Sequence, residues 1–276
     1  MKSKGIIITG STGYLGSKLL DILDKENIYI LNRNSFYKNQ TTFFDTKNNP
    51  KKIINKNIGS FVVIHLATYF SKSLQDNKLI HEGNIEYGKK VLSSLDSLNI
   101  EKIIYTNTMF SFYKDEVTRN LQYTKTKNLF SYELNEYAIK KEIIFDEVFL
   151  DNTFGGLDNR KKVVPLIIES IKNLEPSPIT DNHVFINLIF YKDVLARLQK
   201  SINSKINGQT CFINTNSINL KSIYDFLYDY NTNKVPNINI LKFQPNNYLD
   251  TIPKVDLMGI NLSSLGKELL NYFDIR

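Results

Sequence analysis

The stretch Gly5-Ile-Ile-Ile-Thr-Gly-Ser-Thr-Gly-Tyr-Leu-Gly16, running on into Ser17-Lys-Leu-Leu-Asp-Ile-Leu23, decides the fold. Gly5 to Thr9 is a short apolar run of the kind a buried strand uses. Leu15 to Leu23 repeats its apolar residues at helical spacing. Between them, glycines at 10, 13 and 16 allow a tight turn, close approach of a pyrophosphate and close helix packing, with the helix N-terminus facing the phosphates. A glycine triplet alone is weak, but strand before and helix after supply the context that such a loop needs. Gly10, Ser11, Thr12, Gly13, Tyr14, Leu15 and Gly16 are therefore expected to hold a dinucleotide. A glycine-rich turn without a ligand is the alternative.

Further along, apolar runs and amphipathic stretches alternate. Ile28–Leu31, Phe43-Phe44, Phe61–Leu66, Lys102–Thr106 and Ile143–Leu150 read as strands, and Leu79–Leu98 as a helix. This alternation predicts an α/β fold, a doubly wound parallel sheet of Rossmann type with helices on both faces. After Gly155-Gly156 the pattern loosens into a helix at Val164–Ile171, a Pro-rich EPSP, mixed segments and a final helix near Leu262–Phe273. The expected division is a dinucleotide-binding domain over 1–150 and a smaller, mainly substrate-binding lobe over 151–276, interwoven with the sheet.

Composition narrows the classes of function. The chain has 276 residues, 42% of them hydrophobic and 23% charged, ordinary for a globular protein. No apolar run approaches the ~18 residues of a membrane span, and the start MKSKGIIITG makes a poor signal peptide. The single cysteine, Cys211, permits no disulfide framework, and in the strand-like QTCFIN it is expected to be a small buried apolar residue. The cytoplasm is the expected compartment, with no membrane partner. The net charge of +7 suits an anionic partner. Its Lys and Arg are scattered in pairs such as Lys51-Lys52, Lys89-Lys90 and Lys140-Lys141, so a small phosphorylated ligand is expected rather than nucleic acid. His81 and His183 lack Cys or acidic companions at ligand spacing, and no metal is expected.

The end of the second strand bears on cofactor choice. A carboxylate there favours NAD by accepting from the ribose hydroxyls; an arginine suits a 2′-phosphate. The chain has Asn32-Arg33-Asn34, which favours NADP(H) over NAD, with a solvated loop arginine as the bland reading. In Tyr123-Thr-Lys-Thr-Lys127 the tyrosine and second lysine lie on one helix face. They are either the wet side of a surface helix, with Leu129 and Phe130 turned inward, or a proton donor and the cation that lowers its pKa.

TGSTGYLG, Phe44-Asp45-Thr46, His65-Leu-Ala-Thr68, Asn84-Ile-Glu-Tyr-Gly88, Tyr105-Thr-Asn-Thr108 and Tyr123-x-x-x-Lys127 follow in order over nearly the whole chain. This set resembles the extended short-chain dehydrogenase/reductases, NAD(P)-dependent epimerase/dehydratase branch. YTKTK, FGGLDNRKKVVPLII and FYKDVL look most like the bacterial reductases of nucleotide-linked 4-keto deoxysugars, abequose synthase among them. The resemblance implies a catalytic Tyr123, a Lys127 that lowers its pKa and bonds the nicotinamide ribose, and a Thr108 that binds the substrate carbonyl. Asp45 would bond the adenine amino group, and Leu66, Ala67 and Thr68 would line the ribose-phosphate. Thr46, Asn84 and Thr106 join the cofactor set with Asn32 and Arg33. His65 is expected to be structural.

Substrate contacts implied by the same resemblance are Thr108, Met109, Asn152, Val163, Val164 and Asn187. Dehydratases of the branch place an Asp-Glu pair directly after the threonine; here stand Met109 and Phe110, which cannot move protons. A diphosphate-gripping arginine is replaced within Ile186-Asn187-Leu188, with Arg160, Lys161 or Lys162 as possible substitutes. The expected activity is NADPH-dependent reduction of a 4-keto group on a nucleoside diphosphate-linked 6-deoxyhexose, in deoxysugar synthesis for surface polysaccharide. An epimerase with bound NAD and a non-catalytic dinucleotide sensor are the alternatives. The resemblance also implies a homodimer, pairing Leu79–Leu98 and Tyr123–Ile139 in a four-helix interface.

Overall fold

The computed structural model describes residues 3–24, 26–37, 40–47, 49–51, 58–158, 160–246, 255–258 and 262–276. Met1, Lys2 and Lys52 lie outside them. The chain forms two compact units, Met1–Phe149 with Leu195–Thr210, and Leu150–Val194 with Cys211–Arg276.

In the first unit the strands follow the order Ile144–Leu150, Ile100–Thr108, Ile58–His65, Ser3–Thr9, Ile28–Leu31, Phe43–Phe44, Pro50–Lys51. Ser3–Thr9 pairs in parallel with both Ile28–Leu31 and Ile58–His65, and Ile58–His65 pairs in parallel with Ile100–Thr108. These strands read as unbroken apolar runs because both their faces are covered. Ile7, Val63, Ile103 and Tyr105 pack on one face against Val91, Leu95, Phe130, Leu134 and Ala138. The last three recur every four residues along the helix Gln122–Lys141, so each turn buries an apolar group, worth about 1.5–3 kcal/mol for a full-sized side chain. The opposite face carries the end of the helix Tyr191–Asn203: Lys102 Nζ donates to the Ser201 carbonyl at 2.7 Å.

Two features depart from the simple alternating pattern. Phe43–Phe44 runs antiparallel to Ile28–Leu31 through Ile30 and Phe44. The connection is too short for a parallel crossover, which takes a dozen or more residues. The helix expected over 79–98 is instead Asn77–His81, a π-helical segment Glu82–Glu86, and Tyr87–Leu95. Such single π-turns reaim one side chain within a helix, and here the turn holds Asn84.

The second unit has its own core, in which Phe154, Ile167, Ile168, Ile171, Phe226 and Leu269 come together. They are drawn from the strand Asn152–Phe154 and the helices Val163–Lys172, Leu220–Asn233 and Leu262–Ile275. Phe185–Ile186, Asn216–Asn219 and Phe243–Pro245 form an antiparallel three-stranded sheet. Cys211 is fully buried and pairs with Val255. No helix among the described residues is long and apolar enough to cross a membrane.

Candidate functional site

The glycine loop is built as its sequence requires. Gly10 has φ +69°, and a Cβ there would stand 2.6 Å from the Ala67 nitrogen. Thr9 binds the same neighbouring loop: its Oγ1 accepts from Ala67 N–H at 3.2 Å. At Gly16 a side chain would collide with the Gly10 carbonyl, whereas a Cβ at Gly13 meets only that carbonyl, at 3.1 Å. The loop is thus packed below and open above, and the helix Tyr14–Ile22 presents its first N–H groups there. The edge lies between Ser3–Thr9 and Ile58–His65, where chain order reverses across the sheet, the usual ligand position of open α/β sheets. These residues fit a dinucleotide.

Around that edge the other expected contacts have specific local partners. Asn32 Oδ1 accepts from Asn34 N–H at 2.8 Å, capping the turn that begins with Arg33. Asp45 Oδ1 accepts from the N–H groups of Lys47 and Asn49 at 2.9 and 2.8 Å, and the Asn49 bond leads in holding its carboxyl below the usual range. Thr46 follows in the same turn. Asn84 is 3% exposed and its amide is saturated: Oδ1 accepts from Tyr69 N–H (2.7 Å) and Thr68 Oγ1, while Nδ2 donates to Tyr69 O and Thr126 Oγ1. With all four amide positions used, Asn84 ties the Thr68-Tyr69 end of the neighbouring loop to Thr126 on the helix Gln122–Lys141.

The helix Gln122–Lys141 turns its Lys127 face to the sheet. Lys127 is 2% exposed, Leu129 is 49% exposed and Phe130 is buried, so the wet-surface reading of this stretch does not hold. Lys127 Nζ donates to the Thr106 carbonyl at 2.6 Å and lies 4.1 Å from the centre of the Tyr105 ring, whose hydroxyl donates back to the Lys127 carbonyl. Burial lowers the Lys127 ammonium to about 7, against the opposing pull of Glu147. Tyr123, half-buried, stands edge-on to Phe70 at 4.8 Å and Phe110 at 6.2 Å between ring centres. Thr108 closes its strand; its Oγ1 caps Phe110 N–H at 3.3 Å, which leaves its proton free to be donated.

Behind Thr108 runs a set of polar groups that the sequence reading passes over. Asn107 Oδ1 accepts from Thr108 N–H at 2.8 Å and its Nδ2 donates to Glu147 Oε1 at 2.6 Å. Ser131 Oγ donates to the same oxygen, and Gln209 Nε2 to Oε2 at 2.8 Å. Two consecutive carboxylates, Asp146-Glu147, in an otherwise apolar strand were the available signal. His65 is 2% exposed, with Nδ1 3.1 Å from Thr9 Oγ1. Burial, then the Lys127 charge, lowers it to about 3, and it stays neutral.

Three of the expected substrate contacts, Met109, Val164 and Asn187, are enclosed. Met109 and Asn187 are 0% exposed and Val164 1%. Met109 is enclosed and Val164 sits in the second unit's core. Asn187 is spent on that unit's backbone, donating to Asn214 O at 2.9 Å and accepting from Asn214 N–H at 2.9 Å. Arg160 is committed too, with Nε and Nη2 each 2.8 Å from Asp158. Asn152 and Val163 remain half-buried. No cluster of metal-ligating side chains occurs among the described residues.

The CDP-abequose synthase of Salmonella muenchen is 22% identical over 235 residues, spanning 82% of this chain and 80% of that protein. The CDP-abequose synthase of Yersinia pseudotuberculosis is 24% identical over 215 residues, spanning 74% and 75%. Among solved structures, the UDP-N-acetylglucosamine 4-epimerase from Methanobrevibacter ruminantium, in complex with UDP-N-acetylmuramic acid, superposes with a TM-score of 0.70. It is 19% identical and covers 100% of this chain and 98% of that one. The Thermus thermophilus UDP-glucose 4-epimerase complex with NAD reaches 0.68 at 15% identity, covering 99% and 98%. These structural likenesses carry the Rossmann-type α/β fold. The profile of the NAD dependent epimerase/dehydratase family matches residues 6–204, and the chain belongs to that family.

Proposed function

We propose that the protein is an NADPH-dependent reductase of the 4-keto group of a nucleoside diphosphate-linked 6-deoxyhexose. One observation carries this reading: Phe110, at one of the two positions where dehydratases of the branch carry an acid or base, sets an aromatic ring against Tyr123. Tyr123 as proton donor suits addition of hydride and proton across a carbonyl. The names of the CDP-abequose synthases support a nucleotide-linked deoxysugar as substrate.

When bound, the reduced nicotinamide supplies the hydride. Thr108 Oγ donates a hydrogen bond to the keto oxygen and draws electron density from the carbonyl carbon. Tyr123 gives its phenolic proton to that oxygen, and the Lys127 ammonium stabilises the phenolate left behind. Phe70 and Phe110 exclude water from the tyrosine. Gly10, Ser11, Thr12, Gly13, Tyr14, Leu15 and Gly16 cradle the pyrophosphate, and Arg33 binds the 2′-phosphate. Asn152 and Val163 are the residues we assign to the nucleotide sugar.

Purified protein given NADPH and nucleotide-linked 4-keto-6-deoxyhexoses should lose the absorbance of the reduced cofactor. Interconversion of finished nucleotide sugars with tightly held NAD, and no such loss, would make it an epimerase instead. Cofactor choice has its own test. Arg33→Ala should weaken NADPH by one charge-assisted contact, on the order of 1.5–3 kcal/mol. That is roughly ten- to over a hundredfold in affinity, with NADH nearly unchanged; equal losses for both cofactors would overturn the phosphate role. We also propose a homodimer. Its support is the exposed apolar Leu79, Leu129, Tyr132 and Ile139 on Asn77–His81 and Gln122–Lys141. Sedimentation as a strict monomer would contradict it.

A further inference from the structure

Glu147 is 0% exposed in the middle of the strand Ile144–Leu150. Its hydrogen bonds suit an ionised carboxylate. The Asn107 amide is oriented by its own backbone: Oδ1 takes the Thr108 N–H, so Nδ2 faces Glu147 Oε1. Gln209 Nε2 donates to Oε2. Both oxygens thus accept from amide N–H groups that cannot accept in return, the pattern of an ionised carboxylate. A buried carboxylate needs a countercharge as well as donors. Its own direct partners are all neutral: Asn107, Ser131 and Gln209.

The cation it answers is Lys127. Ser131, one turn beyond Lys127 on the same helix, binds Glu147, while Lys127 binds the Thr106 carbonyl and Asn107, the next residue, binds Glu147. The loop is closed: strand residues 106–107 and helix residues 127–131 are tied together through one carboxylate and one ammonium. We propose that Glu147 is a positioning residue that keeps the Lys127 ammonium charged and clamps the Asn107–Thr108 peptide, so that Thr108 and Lys127 hold fixed places relative to Tyr123. The proposal rests on the reading of Tyr123, Lys127 and Thr108 given above.

The electrostatics of the pocket agree. Desolvation lowers Lys127, and Glu147 is the charge that opposes it. The other titratable groups facing this pair do not replace it. Tyr105 is held neutral by burial and by Glu147 itself, and buried His65 is neutral. Tyr123 is the proton donor being served. Asp146, next in the strand, points to the other face of the sheet, where Lys102 and Arg197 occupy it.

The test is a titration of Lys127, followed through the ε-carbon resonance of 13C-lysine-labelled protein and assigned with Lys127→Met. In the wild type its midpoint is expected at about 7. In Glu147→Gln the proton should leave about tenfold more readily, or more, moving the midpoint down by about one pH unit or beyond. An unchanged midpoint would overturn the proposal. Should Glu147→Gln not fold, the unmutated protein decides: the Glu147 carboxyl-carbon resonance should step at the Lys127 midpoint, and a resonance flat through it would overturn the proposal. Neither readout needs turnover, so a failed reductase assay leaves this result standing. If the reductase reading holds, Glu147→Gln should also lower kcat about tenfold or more with little change in KM. A changed KM at constant kcat would point to a structural role only.

Discussion

Asp146 and Glu147 are neighbours in one strand, both 0% exposed, and the alternation of the strand sends them to opposite faces of the same sheet. Asp146 meets full charges: Arg197 Nη2 at 3.0 Å and Lys102 Nζ at 3.5 Å, with Lys102 also donating to the carbonyls of Ser201 and Ser204. Glu147 meets amides and a hydroxyl, and its cation lies within a helix that also carries Tyr123. Lys102 and Lys127 are both lowered mainly by burial, with a carboxylate opposing it in each case. The difference is what surrounds them. The Asp146 cluster ties Lys102 and Arg197 together by direct ion pairs and serves to join strand to helix. The Glu147 cluster holds no direct ion pair, and the ammonium it opposes, lowered to about 7, lies on the helix that carries Tyr123; perturbed groups of this kind mark candidate functional sites.

The sharpest way to break this comparison is to remove the phenol or its cation. Tyr123→Phe or Lys127→Met should cut ketosugar reduction by about 10²–10⁴-fold, the range of general acid catalysis, with NADPH still bound by Tyr123→Phe. Full activity in Tyr123→Phe would remove the Glu147 side from the chemistry altogether.

Next in size is the other face. Asp146→Asn leaves Lys102 and Arg197 buried without their carboxylate. It should cost on the order of 3–5 kcal/mol in urea unfolding, while the pH profile of the remaining folded enzyme stays as in the wild type. A shifted profile with unchanged stability would reverse the roles assigned to the two carboxylates.

The smallest effects are in the pH dependence of stability. Lys127 falls from 10.5 to about 7 on folding. The unfolded chain therefore binds more protons between those values, and stability should rise with pH from about 7 towards 10.5, by at most about 1.4 kcal/mol per pH unit. His65 falls from 6.5 to about 3, so its contribution is complete above 6.5 and is lost as pH drops towards 3. Urea midpoints across both windows should show these slopes. Lys127→Met should flatten the alkaline slope and also narrow the acid window, because the Lys127 charge helps to lower His65; an alkaline slope unchanged by that substitution would mean another group titrates there.

The alternating pattern of the first half made the Rossmann-type sheet legible, because strands covered on both faces must be apolar throughout and their helices on one stripe only. Tyr123 and Lys127 were legible as a pair through the helical repeat. The helix Tyr191–Asn203 was within reach: Val194, Leu195, Leu198 and Ile202 are buried and carry the helical period, which a reading of this stretch as mixed segments passes over. The antiparallel Phe43–Phe44 and the π-turn at Asn84 were not, since a two-residue strand carries no direction and a π-turn leaves the apolar repeat almost intact.

By itself, then, the sequence determined the strand-loop-helix of the glycine turn, the succession of strands and helices along the first half of the chain and the spacing of tyrosine and lysine, all set by local periodicity and backbone sterics. Only the tertiary structure decided that Lys127 is buried beneath Thr106, that Asn84 is spent on the loop it holds, that Met109, Val164 and Asn187 are enclosed, and that Glu147 rather than Asp146 faces the tyrosine helix. Burial and hydrogen-bond partners depend on residues 21, 40 and 62 places apart in the chain, and the charge of a buried lysine depends on which carboxylate the fold brings to it.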